Sequence, residues 1–217
     1  MEEKTKNLLT ALNNRYATKV FDPNKKIPQE KVNALLESIP LTPSSINAQP
    51  WHVFAVSNQE QKEHLAQSAW GVNQTKYINA DYLFIFCAKK DYTLADYIHL
   101  EELVARLRGV ELDQKRINGI GPYVEGMQGE EKEHWLKKQI YIMLGQFLTS
   151  CALLELDACP IEGFLPEKMD KLLGLPGKGL TSVVSVAVGY RDENDFNQLH
   201  KAPKVRFPAE EILTILD

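Results

Sequence analysis

The sequence predicts an α/β sandwich, a sheet with helices on both faces. Three observations carry that expectation. The segment Tyr82-Leu-Phe-Ile-Phe-Cys-Ala88 is apolar throughout and bounded by polar residues, as a strand covered on both faces must be. The segment Thr181-Ser-Val-Val-Ser-Val-Ala-Val188 is rich in β-branched residues, which suit a pleated surface. Between and around these strands lie stretches whose apolar residues recur at helical spacing.

Taken in order, Lys4 to Asn14 places Leu8, Leu9 and Leu12 on one helical face. A second helix starts at Pro28, a good first-turn residue, with Glu30 two positions on and Val32, Leu35, Leu36 and Ile39 on one face. Thr42 to Pro50 is polar and turn-rich and reads as a loop. Trp51 to Val56 is a short strand and Gln59 to Gln67 a charged helix. After the apolar strand comes a helix over Thr93 to Leu107. Residues 109–129 hold Gly109, Gly119, Gly121, Gly126, Gly129 and Pro122, and read as a mobile excursion or lid. Glu130 to Leu156 forms one long helix. Its first third is charged and the rest apolar nearly all round, which calls for a central position or a partner chain. The tail from Pro208 ends in Ile212-Leu-Thr-Ile-Leu216, apolar enough to need a surface to pack on. The whole reads as one domain, 1–217, with the excursion at about 109–129.

Composition narrows the function classes. Of 217 residues, 44% are hydrophobic and 25% charged, so a folded core is expected rather than disorder. The net charge of −4 gives no basic face, which argues against nucleic acid. The N-terminus lacks the apolar stretch of a signal peptide, and Ile140 to Leu154 is too short to span a membrane. Cys87, Cys151 and Cys159 lie in apolar surroundings without Cys-x-x-Cys spacing, as small hydrophobes of a reducing compartment do. The expectation is a cytoplasmic protein that touches neither membrane nor nucleic acid.

Generic chemical motifs are absent. No Gly-x-Gly-x-x-Gly follows a strand, the histidines have no metal-ligand spacing, and there is no nucleophile elbow. Gly177-Lys-Gly179 lacks the Ser or Thr of a phosphate loop. What remains is three polar clusters, Arg15-Tyr-Ala-Thr-Lys19, Pro43-Ser-Ser-Ile-Asn47 and Lys204-Val-Arg206. Each by itself reads as solvated surface or a turn.

In order along one chain the clusters say more. Arg15-Tyr-Ala-Thr-Lys-Val-Phe21, Pro43-Ser-Ser-Ile-Asn-Ala-Gln-Pro-Trp51, Asn73-Gln-Thr-Lys76, Pro160-Ile-Glu-Gly-Phe164, Gly189 and Lys204-Val-Arg-Phe-Pro208 together resemble the FMN-dependent nitroreductase family. The likeness runs over nearly the whole chain and is nearest the oxygen-insensitive enteric-type NAD(P)H nitroreductases, also described as dihydropteridine reductases. It implies an α+β fold, a three-layer α/β/α sandwich around a mostly antiparallel sheet. It also implies a homodimer with FMN at the interface and a C-terminal segment extending the partner's sheet. The implied activity is two-electron transfer from NAD(P)H to nitroaromatics, quinones or flavins by a ping-pong route. A flavin-storing protein without turnover, or a related flavoenzyme such as a dehalogenase, would carry the same motifs.

The resemblance also implies residue roles. Arg15, Lys204 and Arg206 would meet the FMN phosphate, because guanidinium forks suit phosphate oxygens. Lys19 and Lys76 would face the N1–O2 edge of the ring, where reduction places negative charge. Glu162 and Gly163 would set a backbone N–H against N5, with Pro160 and Ile161 against the ring. Tyr16, Ala17, Asn73 and Gln139 complete the implied cofactor contacts, and Pro43, Ser44, Ser45 and Asn47 would come from the other subunit. Ile46, Tyr123 and Val124 are implied substrate contacts. Lys19, Lys76 and Glu162 are the implied catalytic set, with no metal. Two departures stand out. Tyr16-Ala17 replaces His-Ser, losing a hydroxyl worth about 1 kcal/mol as a hydrogen bond, and Val124 replaces an aromatic.

Overall fold

The computed structural model describes residues 2–216. Its sheet has four strands, β1 (Trp51–Val56), β2 (Tyr82–Lys89), β3 (Asp157–Ile161) and β4 (Leu180–Gly189). They run in the order β1-β2-β4-β3, and every neighbouring pair is antiparallel. The two strands most legible in the sequence, β2 and β4, are the central pair. Their register sets Phe84 opposite Val186 and Tyr82 opposite Val188, and it slips by a bulge between Phe86 and Cys87.

Alternation along β2 explains the layers. Phe84, Phe86 and Ala88 point to one face with Val184, Val186 and Val188 of β4. Leu83, Ile85 and Cys87 point to the other with Ala187, Cys159 and Ile161. Helices cover the first face: α2 (Gln29–Ser38), α5 (Leu94–Arg108), α6 (Gln114–Gly126) and α7 (Gly129–Leu153) contribute to that core. The second face is covered by α3 (Gln59–Ala66), α4 (Asn73–Asn79) and α8 (Pro166–Leu172). This is an α+β sandwich of three layers around an antiparallel sheet.

Helix α7 lays Trp135, Leu136, Gln139, Ile140, Met143, Leu144, Phe147 and Cys151 on the sheet, the stripe that a 3.6-residue period produces. Phe147 packs against Phe84 and Phe86 with ring centroids 4.8 and 5.1 Å away. The opposite side of α7 leaves Tyr141, Ile142 and Leu153 exposed. Helix α1 (Glu3–Asn14) contacts α7 yet buries none of its residues, and Leu8, Leu9 and Leu12 stay open. The tail is likewise exposed from Val205 to Leu216, with a single turn, α9 (Ala209–Ile212).

The stretch expected to be a mobile excursion is mostly helical. Asp113 caps α6 by accepting from the Arg116 amide at 2.9 Å, and Ile117, Gly121 and Val124 are buried. Arg116 pairs with the buried Glu101 carboxylate of α5 at 3.0 Å. Glycines depress helix propensity, but tertiary packing overrides that here. Also not anticipated from sequence are the short elements α4, α8 and β3, all of seven residues or fewer.

Helix α5 begins with a reciprocal cap. The Thr93 hydroxyl accepts from the Asp96 amide at 3.3 Å, and the Asp96 carboxylate accepts from the Thr93 amide at 2.8 Å. It ends at Gly109, whose φ of 66° suits glycine. Thr93→Ala is expected to lower stability by about 1 kcal/mol, read as the shift of the urea midpoint at constant slope. A shift indistinguishable from zero would show the cap to be idle.

Candidate active site

The two ends of the chain meet at one cleft of about 320 Å³, lined by Arg15, Tyr16, Ala17, Asn197, Lys204 and Arg206 among others. Arg15 lies just past the last turn of α1 in extended conformation. The Lys204 amine donates to the carbonyls of Leu12 and Asn13 at 2.6 and 2.9 Å, the negative end of that helix. Arg206 donates, among the described residues, only to the carbonyl of its neighbour Val205, at 2.6 Å. Among the described residues, none of the three cations pairs with a carboxylate. Burial, then repulsion from Arg206, holds the Arg15 guanidinium below its ordinary pKa. Lys204 is lowered by burial and then by Arg15 and Arg206. Three cations that repel one another, with no carboxylate among the described residues paired to them, fit a ligand carrying more than one negative charge.

A second group of side chains forms at the end of β3. Lys76 of α4 is buried, and its amine donates to the Asn73 side-chain oxygen at 2.9 Å and the Val72 carbonyl at 3.1 Å. The Asn73 amide donates in turn to the Gly163 carbonyl at 3.0 Å, which also accepts from the Trp70 N–H at 2.9 Å. A Cβ on Gly163 would run into the Asn73 amide, so this close approach needs glycine. Burial lowers the Lys76 pKa, with Lys19 adding to the effect and the Cys159 thiol opposing it. Burial raises the Cys159 pKa, and Lys19 and Lys76 both oppose that rise. The two lysines therefore share one neighbourhood. Pro160 and Ile161 belong to β3 itself, and the Glu162 carboxylate accepts from the Tyr141 hydroxyl of α7.

A third group gathers elsewhere. The Ser45 amide donates to the Gln139 side-chain oxygen at 2.8 Å, and Gln139 donates to the Trp135 carbonyl at 2.8 Å. Pro43 opens this loop, and the Ser44 hydroxyl accepts from the Gln49 amide at 3.0 Å. Ile46, Asn47 and Gln49 all have positive φ, at 49°, 58° and 46°. A β-branched residue there is strained, and such strain gathers at functional sites. The structure thus joins Ser45 to Gln139, and joins Arg15 to Lys204 and Arg206.

The expectation for Val124 needs correction, whereas Tyr16 lines the cleft with its hydroxyl engaged elsewhere. That hydroxyl donates to the buried Asp195 at 2.7 Å while Arg191 stacks on the ring at 4.6 Å. Val124 is wholly buried in the core and presents no surface to a substrate. Its neighbour Tyr123 is half exposed, its ring edge-on to Trp135 at 6.5 Å. Successive helical residues point about 100° apart, so the two cannot share a role. Asp195, Asn197, Arg191 and Tyr141 were not singled out from sequence, because an Asp or Asn in a turn-rich segment looks the same whether buried or solvated.

The comparisons with known proteins agree with one another. The family model described as "Nitroreductase family" matches residues 12–190. The chain is 38% identical over 211 residues to the oxygen-insensitive NAD(P)H nitroreductase of Salmonella typhimurium, covering 92% of this chain and 95% of that one. It is 34% identical over 212 residues to the major NAD(P)H-flavin oxidoreductase of Aliivibrio fischeri, covering 94% and 96%. A nitroreductase-like protein from Streptococcus mutans superposes with a TM-score of 0.81 at 21% identity, over 98% of this chain and all of that one. A structure from Exiguobacterium sibiricum, solved in complex with FMN, gives 0.81 at 19% identity over 96% and 97%. These last two speak to the fold alone. With its sandwich architecture, the family match across most of its length and these relatives, the chain belongs to the nitroreductase family.

Proposed function

We propose that this chain is an NAD(P)H-dependent, FMN-containing oxidoreductase that passes two electrons to nitroaromatics, quinones or flavins and works as a homodimer. The observation that carries the reading is the cleft where Arg15, Lys204 and Arg206 converge without a carboxylate among the described residues. A phosphate monoester dianion satisfies all three at once. When bound, FMN supplies two-electron exchange between a nicotinamide and an acceptor.

The protein's part is to hold, orient and polarise. Lys19 and Lys76 place positive charge where the ring's N1–O2 edge would lie, which favours the reduced state. Asn73 ties Lys76 to Gly163 and so fixes that amine relative to the backbone that would face N5. Glu162 lends its backbone there, while Pro160 and Ile161 give an apolar wall. The loop Pro43–Asn47 and Gln139 of a second copy would close the site, with Ile46 and Tyr123 toward the substrate. Donor and acceptor would then use one pocket in turn, the basis of a ping-pong cycle.

Dimerisation is supported by the apolar surface this chain leaves open. Leu8, Leu9 and Leu12 on α1, Tyr141 and Ile142 on α7, and Phe207, Ile212, Leu213, Ile215 and Leu216 in the tail are all exposed. A single soluble chain rarely leaves so much apolar side chain to water. No helix among the described residues is long and apolar enough to cross a membrane. Three free, buried cysteines fit a reducing compartment, and we place the enzyme in the cytoplasm.

The test is a visible spectrum of purified protein before and after NADPH, then with a quinone added. Flavin absorbance that bleaches with NADPH and returns with the quinone is the expected result. A colourless protein that refuses added FMN defeats the proposal. Bleaching with no turnover identifies a storage protein, and product analysis with a nitroaromatic separates a nitroreductase from a dehalogenase.

A further inference from the structure

Asp195 is a carboxylate with no exposed surface, and the functional reading above gives it no task. Its surroundings show what it does mechanically. One oxygen accepts from the Tyr16 hydroxyl at 2.7 Å. The Lys19 amide lies 3.3 and 3.4 Å from the two oxygens. The Asn197 amide donates to it at 3.2 Å, and the Asn197 side chain donates to the Ala17 carbonyl at 2.9 Å. The turn at 195–197 therefore grips the segment 16–19 at three points, by a side chain, a carbonyl and an amide. Arg191 braces the same segment, stacked on the Tyr16 ring and forked onto Asp157, with its Nε 2.9 Å from one oxygen.

The turn also leads directly into the strand of chain that bears Lys204 and Arg206. Lys201 donates back to the Asp195 carbonyl at 3.2 Å, and the Gln198 side chain to the same carbonyl at 3.1 Å. One side of this knot thus fixes where Arg15 and Lys19 stand, and the other fixes where Lys204 and Arg206 begin. A carboxylate suits the task because every group that meets it is a donor, and a buried anion accepting several hydrogen bonds is held in one geometry.

We infer that Asp195 is a positioning residue that brings the cations of the two chain ends to a common distance from one anionic ligand, and that Tyr16 is its strut rather than a ligand contact. This rests on the FMN reading. Neither residue touches the cofactor by its side-chain oxygen; both act through Arg15, Lys19, Lys204 and Arg206.

The test compares FMN with riboflavin, which has the same ring and no phosphate. Affinities are read by flavin fluorescence on wild type, Asp195→Asn and Tyr16→Phe, with thermal melts of the ligand-free proteins alongside. Asp195→Asn presents an NH2 to a ring of donors. It is expected to lower the ratio of FMN to riboflavin affinity at least tenfold. Tyr16→Phe keeps the ring on Arg191 and is expected to lower the ratio about threefold. Loss of general stability would weaken both ligands alike and leave the ratio where it was. A ratio unchanged in Asp195→Asn overturns the inference. If that variant does not fold, an unchanged ratio in Tyr16→Phe overturns it. A wild-type protein that binds no FMN defeats the cofactor reading first and this inference with it, so the two failures are told apart by the wild-type arm.

Discussion

Arg15→Glu is expected to lower FMN affinity by roughly two orders of magnitude while leaving the ligand-free protein as stable as wild type. A hydrogen bond to a charged group contributes about 1.5–3 kcal/mol, a factor of roughly 10 to 150, and a reversed charge adds repulsion to the loss. The second half of the forecast comes from the cleft itself. Burial and then the charge of Arg206 lower the pKa of the Arg15 guanidinium, and Arg15 in turn helps lower that of Lys204. An acidic group there relieves that repulsion in the empty protein. A fluorescence titration and a thermal melt of apoprotein read the two halves separately. A fall in affinity of less than threefold would remove Arg15 from the phosphate site. A large fall in melting temperature would mean that the arginine is a structural residue.

The second large effect is expected at Gly163. In Gly163→Ala the new Cβ meets the Asn73 amide, which is the far end of a movable side chain, so the fold survives. The amide must nonetheless leave the Gly163 carbonyl, and Lys76 then loses the oxygen that orients its amine. Displacement of a catalytic group by about 1 Å costs on the order of a hundredfold in rate. Reduction by NADPH in a stopped-flow experiment should therefore slow by at least about tenfold, with FMN still bound. Unchanged reduction would disconnect the Asn73–Lys76 chain from the chemistry.

What the sequence made legible follows from how local each signal was. Strand β2 was plain because burial on both faces of its middle leaves an unbroken apolar run, and β4 because it is rich in β-branched residues. Strand β3 was hidden by Pro160, which has no N–H to give a ladder. It is tolerated because β3 is the last strand of the sheet. Helix α4 was hidden by its length and its run of Asn, Gln and Thr, a composition that on local grounds favours turns. The glycines of 109–129 concealed a helix, which forms over Gln114–Gly126 because Ile117, Gly121 and Val124 find burial there. The site was readable as a set of clusters but not as a geometry. That Arg15 lies beside Arg206, some 190 positions away, is a tertiary fact, and the Tyr16–Asp195 bond that holds it there has no local trace.

The loop around Ile46 has one more consequence. Its three left-handed residues fix the backbone in a shape the free peptide would seldom visit. The entropy of that arrangement is surrendered when the chain folds, before any ligand arrives. A molecule docking against it meets a surface already set, so its residence time depends on contacts made rather than on a segment that must first become ordered.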